Sequence, residues 1–159
     1  MTGFFRGFDP FFDENSTLLI LGSFPSVKSR QEGFYYGNPQ NRFWRTVCGY
    51  FHEETAKTVA QKKAFLSRHR IALWDVVTAC EIDGSKDNTI CNEEIADLPH
   101  LIERSNIKRI FCNGGKSFEL LQREFPALVR IAQRLPSTSP ANPRFTSGVW
   151  HSALDGVFL

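Results

Sequence analysis

The chain has 159 residues, of which 42% are hydrophobic and 23% are charged, and its net charge at pH 7 is +2. This length fits one compact domain with a hydrophobic core, and the composition excludes disordered and fibrous proteins. No apolar run approaches the roughly 20 residues of a membrane-spanning helix. The first residues do not resemble a signal peptide because Arg6, Asp9 and Pro10 interrupt them. We therefore expect a cytoplasmic protein without membrane contact.

Charge and cysteine usage say little about partners. The small positive charge neither requires nor excludes nucleic acid, since binding needs only a local basic rim. The four cysteines have no C-x-x-C spacing, and the four histidines have no metal-ligand spacing. Cys48 and Cys112 lie in apolar runs, where a free thiol behaves as a small hydrophobe. We expect core thiols, structural histidines and no metal or other cofactor.

Short apolar strands alternate with helices in the first half of the chain. A strand is predicted over Ser16 to Leu21, followed by a long polar and aromatic loop from Gly22 to Asn38. The next helix is predicted to start near Pro39 to Asn41, and a basic helix is predicted over Thr58 to Arg68. A second buried strand is predicted over Ile71 to Val77.

The second half continues this alternation. Ala79 to Cys91 reads as an irregular loop, and Asn92 as the N-cap of a helix that runs to about Ser105. The remaining predicted elements are a strand over Ile107 to Cys112, a helix over Lys116 to Glu124, a strand over Val129 to Leu135 and a helix within Ser147 to Leu159.

Apolar strands separated by helices indicate a parallel sheet covered on both faces. The prediction is an α/β three-layer sandwich that forms a single domain over residues 1–159 and is monomeric. Ligands bind such sheets beyond the carboxyl ends of the strands. Four strand ends lead into unusual segments: GSFPSVKS, the residues around Asp75, FCNGG and LPSTSPAN. Their convergence predicts one composite site.

Three sequence blocks carry a family resemblance. They are GSFPS at Gly22 to Ser26 with YYGNPQNRFW at Tyr35 to Trp44, LWDV at Leu73 to Val76, and LPSTSPANP at Leu135 to Pro143. Together they resemble the uracil-DNA glycosylase superfamily, and look most like its hypoxanthine-DNA (deoxyinosine) glycosylase branch. The resemblance implies a central four-stranded parallel sheet flanked by helices. It also implies base-excision repair by hydrolysis of the N-glycosidic bond of a nucleotide flipped out of DNA. No lysine stands at a motif position suited to Schiff-base chemistry, so a monofunctional glycosylase is expected.

The same resemblance implies roles for individual residues. Asn41, in the NRFW segment, matches the catalytic asparagine. Tyr36 matches an aromatic residue that stacks on the extruded base, and Asp75 matches a position that reads the base edge. The expected base-binding residues are Phe24, Tyr36, Asn38, Asp75 and Asn113. The expected DNA-binding residues are Ser23, Ser26, Ser137, Thr138, Ser139, Ala141 and Asn142, with Ala141 as the wedge in the minor groove.

Departures from the superfamily pattern favour the hypoxanthine branch. Phe24 stands where many members carry a water-activating Asp or Asn, and Ser137 where some carry histidine. Asn38 stands where many relatives have histidine, so either Asn38 or Asn41 is the catalytic amide. The alternatives are a uracil or mismatch-specific uracil glycosylase and an inactive nucleic-acid-binding domain of the same fold. The preferred base among hypoxanthine, xanthine and uracil stays open, as does the preference for single or double strands.

The residues themselves suggest how such a site would work. Amide and backbone donors stabilise the charge of a departing base without the repulsion that a carboxylate would bring. Asp75 could accept the N1–H of hypoxanthine, a proton that adenine lacks. Each residue also has a structural interpretation: Asn41 and Asp75 as caps, Asn113 as the end of a strand, and Tyr36 as a core aromatic. Arginines that could line a DNA groove or simply face solvent are Arg42, Arg45, Arg134 and Arg144.

Overall fold

The structure is a computed structural model and describes residues 2–159. Within this range the strands are β1 (Thr2–Arg6), β2 (Leu18–Gly22), β3 (Ile71–Asp75), β4 (Val77–Asp83), β5 (Cys91–Ile95), β6 (Arg109–Asn113) and β7 (Ala132–Leu135). The α-helices of the same range are α1 (Val27–Glu32), α2 (Phe43–Tyr50), α3 (Val59–Arg68), α4 (Leu98–Glu103), α5 (Gly115–Glu124) and α6 (Ser147–Phe158). None of these helices is long and apolar enough to cross a membrane.

The central sheet confirms the predicted fold class. Its four strands are parallel and lie in the order β3-β2-β6-β7, flanked by helices. Every residue of β2 and β3 is buried, and Leu18 to Leu21 are fully inaccessible. Burial on both faces explains why these strands read as continuous apolar runs rather than alternating ones.

Three helices form where the sequence predicts them. In α3, Thr58 and Gln61 form a capping box, in which each side chain bonds the other residue's backbone N–H. Helix α5 begins at Gly115, directly after Gly114 at a φ of 98°. Helix α6 buries Trp150, whose indole donates to the carbonyl oxygen of Pro136 at 2.8 Å. That bond fixes the start of the LPSTSPAN segment against the core.

A second sheet was not predicted. Strands β1, β4 and β5 form an antiparallel sheet with β4 in the centre. The prediction of an irregular loop over Ala79 to Cys91 is therefore wrong in its first part, because Val77–Asp83 pairs with both neighbours. The predicted helix from Asn92 is also wrong at its start: Asn92 lies within β5 with φ at 50°, and the helix begins after Asp97. Pairing with β4 outweighed the local capping signal.

Smaller differences concern element boundaries. The segment from Gly22 to Asn38 contains helix α1, which is capped by the hydroxyl of Ser26. The next helix begins at Phe43, slightly later than predicted. The predicted strand from Val129 begins only at Ala132, because a 3-10 helix covers Pro126–Ile131.

Candidate active site

A cavity of about 270 Å³ lies at the carboxyl ends of the four parallel strands. There Gly22 of β2 is in register with Asp75 of β3, and Asn113 of β6 with Leu135 of β7. Twelve of the thirteen residues predicted for the site line this cavity: Ser23, Phe24, Ser26, Tyr36, Asn38, Asn41, Asp75, Asn113, Ser137, Thr138, Ser139 and Ala141. The thirteenth, Asn142, supports the wall, since its Nδ2 donates to the carbonyl oxygen of Ser137 at 3.0 Å.

Asp75 is the most unusual side chain of the cavity. It is 4% exposed, and its Oδ2 is buried without a hydrogen-bond partner among residues 2–159. Burial, reinforced by the negative charge of Asp87, raises the pKa of Asp75 to about 8. The opposing residue must be glycine, because a side-chain carbon at Gly22 would overlap Oδ1 of Asp75. The cavity thus holds a carboxyl group that is mostly neutral at pH 7.

Tyr36 is held in a strained conformation beside this carboxyl. Its φ of 56° lies in the left-handed region, which costs a non-glycine residue about 1 kcal/mol or more. Its ring stacks on Phe43 of α2 with centroids 4.2 Å apart. Burial, reinforced by the nearby Asp75, raises the pKa of the Tyr36 phenol far above its usual range, while the side chain of Asn113 opposes the rise. The preceding Tyr35 instead belongs to the core, where its hydroxyl donates to the carbonyl oxygen of Asp9 at 2.8 Å.

The two candidate catalytic amides are both oriented by backbone N–H groups. Oδ1 of Asn41 accepts from the N–H of Phe43 at 2.9 Å, and Oδ1 of Asn38 accepts from the N–H of Gln40 at 3.0 Å. Asn41 therefore stabilises the turn just before α2, whose N-cap is Arg42, and also lines the cavity. Because each oxygen is already engaged, each amide has its Nδ2 left for a ligand. Each Oδ1 keeps one lone pair, but Nδ2 is the group of each amide with no bond to another part of residues 2–159.

Asn113 links the end of β6 to the LPSTSPAN segment. Its Nδ2 donates to Oγ1 of Thr138 at 2.9 Å, and its Oδ1 accepts from the N–H of Thr138 at 2.9 Å. Both ends of the amide thus bond to Thr138, and one N–H of Nδ2 is left beside the Tyr36 phenol. This geometry makes Asn113 a positioning residue for the LPSTSPAN segment.

The serine hydroxyls of the predicted DNA-binding set also stabilise local turns. Those of Ser137 and Ser139 accept from backbone N–H groups two residues further along. That of Ser26 accepts from the N–H of Ser29 at the start of α1. Since a hydroxyl both accepts and donates, the O–H groups of Ser137 and Ser139 remain able to donate to phosphate. Ser23 differs, because its hydroxyl donates to Asp87 at 2.8 Å.

Arg42 holds the same segment from the other side. Its Nη2 donates to the carbonyl oxygen of Asn142 at 2.7 Å and also to that of Ser139. Its Nε and its backbone N–H donate to the carbonyl oxygen of Thr138 at 3.4 and 3.0 Å. The guanidinium lies over the ring of Phe145. Arg42 therefore fixes the segment to the start of α2 instead of facing a DNA groove.

We expect Arg42→Lys to lower kcat/KM for the reaction of this site by about 10-fold or more, because an ammonium cannot reproduce the planar fork. The measurement is hydrogen exchange of the 136–142 amides together with the kinetics of that reaction. Faster exchange in this segment with α3 unchanged would match the expectation. As a control, Arg130→Lys alters an arginine of the 3-10 helix outside the cavity wall and should leave both readouts unchanged.

Sequence reasoning missed the acidic residue that faces Asp75. Asp87 lies on a short 3-10 helix (Asp87–Thr89) between β4 and β5 and lines the cavity with Ser85. Burial raises the pKa of Asp87, while Ser23 and Lys116 oppose the rise. No local sequence pattern indicates this residue, because only the pairing of β4 with β1 and β5 brings it to the site. Among residues 2–159, no three or more His, Cys, Asp and Glu side chains are grouped to hold a metal ion.

Comparisons with known proteins agree with this geometry. Two proteins named hypoxanthine DNA glycosylase are similar to the chain. The one from Methanosarcina acetivorans is 42% identical over 89% of this chain and 90% of its own length. The one from Methanosarcina barkeri is 39% identical over 87% and 89%. A solution NMR structure of a Methanosarcina acetivorans protein, provisionally named a uracil DNA glycosylase, superposes with a TM-score of 0.84. It is 36% identical and covers 98% of this chain and 99% of its own.

A family model also matches the chain. The model of the uracil DNA glycosylase superfamily matches residues 10–151, which include all four cavity-forming strand ends. With the parallel sheet and the composite cavity, these findings confirm the resemblance that the motifs suggested. The chain belongs to the uracil DNA glycosylase superfamily.

Proposed function

We propose that the protein is a monofunctional DNA glycosylase that hydrolyses the N-glycosidic bond of hypoxanthine in a deoxyinosine flipped out of DNA. The observation that carries the proposal is the cavity at the strand ends, where amide donors and a neutral carboxyl meet. Its size of about 270 Å³ suits a single base better than a whole cofactor, since pockets for drug-sized ligands measure roughly 300–1,000 Å³. The similar proteins named hypoxanthine DNA glycosylase support this choice of base.

The enzyme would act on a base that has left the helix. A base inside a duplex is out of reach, and extruding it costs a few kcal/mol, least for a mismatched or damaged pair. The flipped base would enter between Phe24 and Tyr36, which both line the cavity. Stacking on an aromatic ring recovers about 1–3 kcal/mol per base. The cavity would thereby offset much of the cost of extrusion.

Cleavage would depend on stabilising the departing base. The sugar passes through an oxocarbenium-like state while negative charge develops on the base. The Nδ2 groups of Asn41 and Asn38 are the donors available to that charge. An amide is too weak a base to activate water, so we assign Asn41 the positioning of the base or water by hydrogen bonding. No lysine of residues 2–159 lines the cavity, which supports hydrolysis without a Schiff base.

The LPSTSPAN segment would contact the DNA backbone. Ala141 is exposed at its tip, in reach of the minor groove, and the O–H groups of Ser137 and Ser139 would donate to phosphate. Asn142 would act through the segment by holding Ser137. DNA with a deaminated base is then the partner, and we further propose a monomer located in the cytoplasm.

An excision assay tests the function. It uses end-labelled duplexes that carry one inosine, xanthosine or uracil, and alkali then cleaves the strand at each abasic site. We expect inosine to be released fastest. A preference for uracil would favour the uracil glycosylase alternative and contradict our reading of Phe24. DNA binding without release of any base would favour the inactive binding domain.

A further inference from the structure

We propose that Asp75 is a neutral hydrogen-bond donor that recognises the carbonyl group which deamination creates on a base. The proposal rests on the proposed function, because it names how that cavity selects its substrate. It starts from an unpaired buried carboxyl in the cavity wall, at the end of β3.

The surroundings of Asp75 do not support a negative charge. The titratable groups that face it are Asp87 from the 3-10 helix and the phenols of Tyr35 and Tyr36 from the α1–α2 connection. Lys116 acts on Asp87, and no lysine or arginine of residues 2–159 pairs with Asp75. A buried carboxylate without a cation or a hydrogen bond is strongly unfavourable, so the group takes up a proton instead. The raised pKa of about 8 agrees with this.

The burial of the two oxygens indicates where that proton lies. Oδ2 is enclosed and unpaired, which leaves Oδ1, beside Gly22, as the oxygen that reaches the cavity. A buried donor without an acceptor is less tolerable than a buried acceptor without a donor. The carbonyl oxygen is therefore Oδ2, and the O–H at Oδ1 points toward a ligand.

A fixed donor distinguishes a deaminated base from its parent. Deamination replaces an exocyclic amine, which donates, with a carbonyl, which accepts: adenine gains O6 as hypoxanthine, and cytosine gains O4 as uracil. The Oδ1–H of Asp75 would bond the carbonyl and oppose the amine, since two donors would meet. This reverses the expectation that Asp75 accepts N1–H. A neutral donor also stabilises the negative charge of the leaving base, which a carboxylate would repel.

The test compares duplexes that carry deoxyinosine or deoxynebularine, a purine nucleoside without O6 and without N1–H, in the wild type, Asp75→Ala and Asp75→Asn, and the pH dependence then separates donation to O6 from acceptance of N1–H. We expect Asp75→Ala to lower kcat/KM for inosine about 10- to 100-fold, with a much smaller loss for nebularine. Asn offers an N–H, so Asp75→Asn should recover most of the lost inosine rate. The wild-type inosine rate should fall as the pH rises through about 8, and this fall should be absent in Asp75→Asn.

Other outcomes would overturn the proposal. Equal losses on both substrates in Asp75→Ala would indicate a purely structural role. A wild-type rate that rises through about pH 8 would identify an ionised acceptor. The ¹³C carboxyl resonance of Asp75, assigned by its loss in Asp75→Asn, reports protonation without activity, and an ionised group at neutral pH would refute the donor directly. If the wild type releases no inosine, the proposed function fails, whereas this resonance still decides the state of Asp75.

Discussion

Replacing Asn41 with alanine should lower kcat/KM for inosine excision by about 100- to 1,000-fold, which is the usual effect of removing one preorganised donor from a site of charge development. The loss should lie mainly in kcat, because the donor matters most when the base departs. Single-turnover excision with enzyme in excess measures this step directly. The same substitution removes the hydrogen bond that Oδ1 accepts from the N–H of Phe43 and should cost about 1 kcal/mol of stability.

The variant Asn41→Asp separates these two roles. An aspartate oxygen can still accept from the N–H of Phe43, but it cannot offer the Nδ2 donor. We expect its unfolding free energy to match the wild type and its excision rate to fall at least as far as in Asn41→Ala. Asn38→Ala is the parallel test of the neighbouring amide. If Asn38→Ala is inactive while Asn41→Asp is active, the catalytic assignment moves to Asn38.

Asp75→Asn should stabilise the folded protein by a few kcal/mol at pH 7, the largest stability effect that we expect. The folded pKa of about 8 lies above the ordinary value of 3.8, so the unfolded chain loses this proton first as the pH rises. The stability that Asp75 contributes is complete below about pH 4 and decreases until about pH 8. Asparagine does not titrate, so the advantage of the variant should grow across this range.

Urea unfolding at several pH values between those limits checks this dependence. Glu119→Gln removes one negative charge from an exposed position on α5 and serves as the matched control for net charge. The control should not gain several kcal/mol. The difference in unfolding free energy between Asp75→Asn and the wild type should grow with pH. If it stays constant or decreases as the pH rises, the raised pKa of Asp75 is contradicted. A destabilising residue that persists at the centre of a cavity is what a functional role would produce.

Much of the fold was predictable because a strand that is buried on both faces consists of consecutive apolar residues, which can be recognised in the sequence. Strands β2 and β3 are almost entirely apolar, and Leu18 to Leu21 are fully buried as expected. The residues of the site were also predictable, because they follow the carboxyl ends of parallel strands and these ends meet at one edge of the sheet. That is why GSFPS, Asp75, Asn113 and LPSTSPAN share one cavity. The roles of the individual side chains stay predictions.

The second sheet was not predictable from local patterns. Strand β1 pairs with β4, so that Phe5 lies opposite Cys80, and nothing near either residue signals this pairing. Asn92 with two following glutamates imitates a helix start, and only pairing with β4 shows otherwise. Asp87 was missed as a direct result. The bonds of Arg42 to carbonyl groups about 100 residues further along are equally invisible to local patterns.

The bonds from Arg42 and Asn113 to the LPSTSPAN segment have a consequence for how damage is found. Because the segment is ordered before DNA arrives, binding avoids the roughly 1–2 kcal/mol that fixing each loose residue would cost. The same rigidity prevents the segment from adapting its shape to a well-stacked duplex. The deformation must then come from the DNA, whose flexible steps and weak pairs bend most easily. We therefore expect the protein to bind first at places in a genome where the DNA duplex is easily deformed, before any base is recognised.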